Sequence, residues 1–134
     1  MTGEQQTLVI VDAANVVGSV PDGWWRDRRG AAERLRDSLV PYAAEGLPGD
    51  PGPVELVLVV EGAARGVVSV PEVRVEAAPG SGDDLIASLA AAAQGLRPCV
   101  VVTADRGLRQ RAEACGARCT GPRTVRPLPP SGRG

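Results

Sequence analysis

The 134-residue chain has no histidine, and all 15 of its basic residues are arginine, so lysine is absent as well. These absences exclude several chemistries. Without His there is no Ser-His-Asp or Cys-His nucleophile system and no imidazole metal ligand. Without Lys there is no Schiff base and no P-loop lysine for a nucleotide phosphate. Phe is also missing, and Trp24, Trp25 and Tyr42 are the only aromatics, so Val, Leu, Ile and Ala must fill the interior. No apolar run approaches the roughly 18 residues of a membrane span, and the N-terminus carries Glu4 and no basic stretch. A soluble cytoplasmic protein is expected, with carboxylates, arginines, hydroxyls and three thiols as its chemical means. Cys99, Cys115 and Cys119 are too few for a four-cysteine zinc site, and their odd number favours reduced, packed thiols over a disulfide framework.

The length suits one domain. The formal net charge of -1 conceals an asymmetry: residues 1–105 hold 8 arginines against 15 acids, a balance of -7, whereas residues 106–134 hold 7 arginines against one acid, a balance of +6. An acidic body that gathers cations, with a basic end that touches a polyanion, fits this distribution.

Short apolar runs at Thr7 to Val11, Glu55 to Val60 and Cys99 to Thr103 read as strands buried on both faces, with a further strand around Val73 to Val75 and a last one at Ala117 to Thr120. Ala31, Leu35 and Leu39 recur every fourth residue, which predicts an amphipathic helix from about Asp27 that Pro41 should end or kink. A loop is expected between Asp12 and that helix, and a Gly/Pro-rich breaker over residues 46–53. Asp83-Asp84 opens an alanine-rich helix to about Gln94, and a final helix runs from about Leu108 to Ala114. Residues 1–6 and 121–134 are expected to be disordered, the latter a basic tail with Arg123, Arg126 and Arg133, and residues 7–120 to be the domain. The fold class is α/β, with a parallel central sheet of four to five strands flanked by helices.

Right-handed crossovers bring the carboxyl ends of parallel strands to one edge, where open α/β sheets bind their ligands. Each strand delivers acids there: Asp12, Glu61, Asp83 with Asp84, and Asp105. Carboxylates this close repel unless a cation lies among them, and Mg²⁺ or Mn²⁺ takes oxygen ligands and needs neither His nor Lys. Each acid also has a structural reading. Asp83 and Asp84 suit a helix N-terminus, Asp105 an N-cap, and Asp12 and Asn15 a turn. It is their joint placement that points to metal-assisted phosphodiester hydrolysis.

Three segments resemble the NYN domains of the PIN-like nuclease superfamily: Val11-Asp12-Ala13-Ala14-Asn15-Val16, Gly82-Asp83-Asp84-Leu85-Ile86 and Val102-Thr103-Ala104-Asp105. The resemblance covers roughly Leu8 to Thr120. It implies a metal-dependent ribonuclease acting on single-stranded RNA, with Asp12, Asp83 or Asp84, and Asp105 as metal ligands. Asn15 and Thr103 would orient those ligands, and Glu61 stands where the family often has an acid. Arg106 and Arg109, directly after Asp105, are candidate phosphate contacts. Trp24-Trp25-Arg26 with Arg28 and Arg29 could form a stacking platform, although a chain without Phe needs its tryptophans for packing. A non-catalytic PIN-like module binding nucleic acid or protein is the alternative, and a phosphatase on small esters a third. A homodimer is left open.

Overall fold

The computed structural model describes residues 6–126. Five strands form one parallel sheet in the order β5-β4-β1-β6-β7: β1 (Leu8–Asp12), β4 (Glu55–Val60), β5 (Val73–Ala77), β6 (Cys99–Val102) and β7 (Arg118–Thr120). The helices are α1 (Ala13–Gly18), α2 (Arg28–Glu45), α3 (Gly82–Ala93) and α4 (Arg106–Ala114). A two-residue hairpin, β2 (Gly46–Leu47) with β3 (Asp50–Pro51), occupies the Gly/Pro-rich breaker.

Strand alternation assigns the two faces of the sheet. Val9, Val11, Leu56, Leu58, Val60, Val100 and Val102 pack toward α1 and α2, with Leu35 and Leu39 of α2 buried against them. Leu8, Ile10, Val57, Val59 and Val101 pack on the other side with Ile86 and Ala90 of α3 and Leu108 and Ala112 of α4. Both faces are covered, which is why these strands read as unbroken aliphatic runs. Cys99, Cys115 and Cys119 are free thiols; burial pushes Cys99 up to about 11 and raises Cys119 as well.

Three expectations are corrected. The loop after Asp12 contains α1, and Trp24–Arg26 form a 3-10 turn. Pro41 does not end α2, which continues to Glu45. Pro41 and Asp37, whose carbonyl it cannot serve, are both exposed, and the buried Leu35 and Leu39 hold the helix to the sheet. Residues 121–126 are packed rather than a tail: Pro122–Thr124 form a 3-10 turn, Val125 is buried, and Arg126 donates to the carbonyls of Val16 and Val17 at the end of α1 and pairs with Asp22. The expected disorder of residues 1–5 and 127–134, Arg133 among them, lies outside the described residues.

From β1 the chain builds the sheet toward β4 and β5, then α3 carries it back across to β6 on the opposite side of β1. The reversal falls between β1 and β6, so their carboxyl ends form the topological switch point at which open sheets hold ligands.

Candidate active site

Asp12 is the last residue of β1 and Thr103 follows the last residue of β6. The register pairs Val11 with Val102, so one further step sets Asp12 beside Thr103. The Thr103 hydroxyl donates to Asp12 Oδ2 at 2.9 Å and accepts the Asp105 backbone N–H at 3.2 Å. Asp12 Oδ1 accepts the N–H of Asn15 at 3.3 Å and so caps α1. Asn15 in turn accepts the Ala104 N–H at 2.8 Å with its side-chain oxygen, which ties α1 to the loop after β6.

Asp12 is 7% exposed and Thr103 fully buried. Burial raises the Asp12 carboxyl from 3.8 to about 6; the Thr103 and Asn15 hydrogen bonds oppose this, and the charges of Asp83 and Glu61 add to it. Asp83 is also raised, first by burial and then by Asp105 and Glu61, while Arg111 lowers it. The acids of four chain segments therefore act on one another through the field at this edge.

Their individual placements differ. Asp105 caps α4, accepting the Leu108 N–H at 2.9 Å. Glu61 accepts the Gly82 N–H at the start of α3, where any Cβ on residue 82 would lie 2.5 Å from Glu61 Oε1. Ser81 caps α3 through the Asp83 N–H. Asp84 is well exposed and pairs with Arg111 of α4 at 3.0 Å, while its charge still adds to the rise of Asp83. The two adjacent aspartates thus differ in their partners: Asp83 meets Asp105 and Glu61, and Asp84 carries the surface ion pair.

Among the described residues, no three His, Cys, Asp or Glu side chains are close enough together to enclose a metal ion. The donor chemistry nevertheless fits a hard cation. Every donor is an oxygen, and at Asp12 and Asp83 neighbouring acids add to a rise that burial begins. Mg²⁺ usually takes one or two carboxylates and keeps several waters, so an open pair of acids is enough.

Arg109 of α4 donates to the Thr103 carbonyl at 2.8 Å, and Arg106 is exposed one residue beyond Asp105. Trp24 is half-buried against the α1–α2 side of the core and meets Trp25 edge-on, with ring centroids 5.8 Å apart. Trp25 is exposed, and Arg26 lies 6.0 Å over its ring. Arg28, part of the same tryptophan–arginine cluster, lies 5.3 Å over the Trp24 ring. Arg111, which no motif singled out, pairs with Asp84, a long-range partner that local spacing does not display.

No family model and no curated protein matches the sequence. Solved structures do match, among them the following two. Rae1 (YacP) from Bacillus subtilis aligns with a TM-score of 0.69 at 19% identity, over 88% of this chain and 70% of that one. Its tryptophan-to-leucine mutant aligns with a TM-score of 0.68 at 18% identity, over 90% of this chain and 72% of the other. At this identity the likeness concerns the fold alone: a parallel five-stranded sheet flanked by helices.

Proposed function

We propose that the chain is a metal-dependent ribonuclease that hydrolyses phosphodiester bonds of single-stranded RNA. The observation that carries this reading is the buried Asp12 carboxylate, held by Thr103 at the switch point of the sheet in the negative field of Asp83 and Glu61. Asp12 and Asp83 would hold Mg²⁺ or Mn²⁺, with Asp105 acting through water. When bound, such a cation supplies a water of lowered pKa and positive charge against the phosphoryl oxygens.

The chain's own groups do the rest. Thr103 and Asn15 keep the two Asp12 oxygens in one orientation. Arg106 offers a guanidinium to a phosphate beside Asp105, and Arg109 braces the Thr103 carbonyl from the same helix. Above a pH of about 6 Asp12 is ionised and ready for a cation.

The capping duties of Glu61 and Asp105, and the engagement of Asp84 by Arg111, favour one alternative: a PIN-like module that binds nucleic acid or protein without cutting it. Cleavage of labelled single-stranded RNA in Mg²⁺, Mn²⁺ or EDTA, beside Asp12→Asn and Asp105→Asn, separates the two. The ribonuclease requires turnover that is lost in EDTA and in Asp12→Asn. Retention of RNA in EDTA with no turnover in either metal establishes the binding module.

A further inference from the structure

A small pocket borders the acidic edge. Its volume is about 100 Å³, and Ala13, Ala14, Trp24, Arg28, Ala32 and Glu61 are among its walls. Pockets for drug-sized ligands run to roughly 300–1,000 Å³, so this one suits a single ring system. It exists because α1 and α2 face one another through methyl groups. Alanine side chains cannot fill the space between two helices, and the chain has no Phe to do so.

The walls state what the occupant must be. Methyl groups and the half-buried Trp24 indole offer flat apolar contact, and the Arg28 guanidinium 5.3 Å over that indole places a cation beside it. Glu61 adds a carboxylate, one oxygen of which is engaged by the Gly82 N–H, leaving the other as an acceptor. An apolar planar ring with a donor-bearing edge satisfies all three. Ala13 directly follows Asp12, so the pocket wall and the buried carboxylate share one strand end.

We propose that this pocket binds one RNA nucleobase next to the phosphodiester at Asp12, with guanine preferred through Glu61. Guanine presents a ring N–H and an adjacent amino group, two neighbouring donors, either of which can meet the free Glu61 oxygen. Uracil presents one N–H between two carbonyl oxygens, and those oxygens would face negative charge. Bases stacked on aromatic side chains and read along their donor edges are the common mode of single-strand recognition. The position of the pocket beside the cut bond rests on the ribonuclease reading; base binding does not.

The test uses the full chain in EDTA, titrated with 5′-GMP and 5′-UMP while the amide signals of Ala13 and Ala14 are followed by NMR. GMP is expected to shift them and to bind about tenfold more tightly than UMP. Ala14 is an exposed position, so Ala14→Leu closes the mouth without disturbing the core and should abolish GMP binding at an unchanged Tm. Trp24→Ala should weaken GMP by roughly tenfold or more, and Glu61→Gln should level GMP with UMP. Equal binding of the two nucleotides by the wild-type chain, or undiminished GMP binding by Ala14→Leu, overturns the proposal. GMP binding as expected in a chain that cuts no RNA in either metal keeps the pocket and removes the ribonuclease reading. RNA cleavage without base preference, unaffected by Ala14→Leu, does the reverse.

Discussion

The Thr103 hydroxyl lies 2.9 Å from Asp12 Oδ2 and joins the end of β6 to the end of β1. It is fully buried and receives the Asp105 N–H on its other side, so one hydroxyl fixes a carboxylate and the start of α4 together. Thr103→Val keeps the shape and removes both hydrogen bonds. The expected cost is about 1–3 kcal/mol by chemical denaturation, and Thr103→Ser should restore most of it. Because the Thr103 hydrogen bond lowers the Asp12 carboxyl, the acid limb of any cleavage profile should move to higher pH in Thr103→Val. An unmoved limb would separate Thr103 from the titration of Asp12.

Asp12→Asn should stabilise the apo protein at neutral pH. The folded Asp12 carboxyl sits at about 6, above its ordinary 3.8, so between those values the folded chain holds a proton that the unfolded chain has released, and above 6 it must bury the charge. That stabilisation is complete below 3.8 and lost as the pH rises through 6. The displacement corresponds to roughly 3 kcal/mol. In EDTA at pH 7.5 Asp12→Asn is therefore expected to melt above the wild type, and at pH 3.5 to show no such gain. A lower melting temperature at pH 7.5 would contradict the burial argument.

A divalent cation should close that gap. Mg²⁺ or Mn²⁺ at about 100 times its dissociation constant adds about 2.7 kcal/mol to a protein that binds it only when folded. Thermal melts with and without metal are expected to show this gain in the wild type, to lose it in Asp12→Asn and Asp83→Asn, and to keep it in Asp84→Asn. The last substitution removes only an exposed ion pair with Arg111, worth about 1 kcal/mol at most. Equal loss in Asp83→Asn and Asp84→Asn would refute the division between the two aspartates.

Arg106 and Arg109 should separate binding from structure. Arg106 is exposed, so Arg106→Ala is expected to leave the Tm unchanged while weakening RNA binding. It should also flatten the dependence of log K on log salt by about 0.7 for one lost phosphate contact on a single strand. Arg109→Ala removes the donor to the Thr103 carbonyl and should cost about 1–2 kcal/mol of stability. Binding isotherms at several salt concentrations, paired with melts, distinguish the two.

The centre of the sheet was legible because β1, β4 and β6 are aliphatic on both faces. Asp12 and Thr103 become neighbours through register alone. The helix α1 was not legible: six residues are too few for a periodic signal, and it forms because Asp12 caps it and Val16 and Val17 are buried. The passage of α2 through Pro41 was hidden for a related reason, since buried packing of Leu35 and Leu39 outweighs a local breaker. Asp83 and Asp84 looked equivalent as a helix-opening pair, and only Arg111, 27 residues further on, distinguishes them. Residues 121–126 carry turn-forming composition, and what orders them is the long-range grip of Arg126 on α1.

That grip has a mechanical consequence. Arg126 holds the carbonyls of Val16 and Val17, and the same short helix carries Asn15, the brace on the Ala104 backbone. Tension applied to the chain beyond residue 126 would pass through one guanidinium into α1 and from there to the Asp12 carboxylate. A chain cut after Thr120 would keep every strand and every acid, yet leave the helix that orients them anchored at one end only.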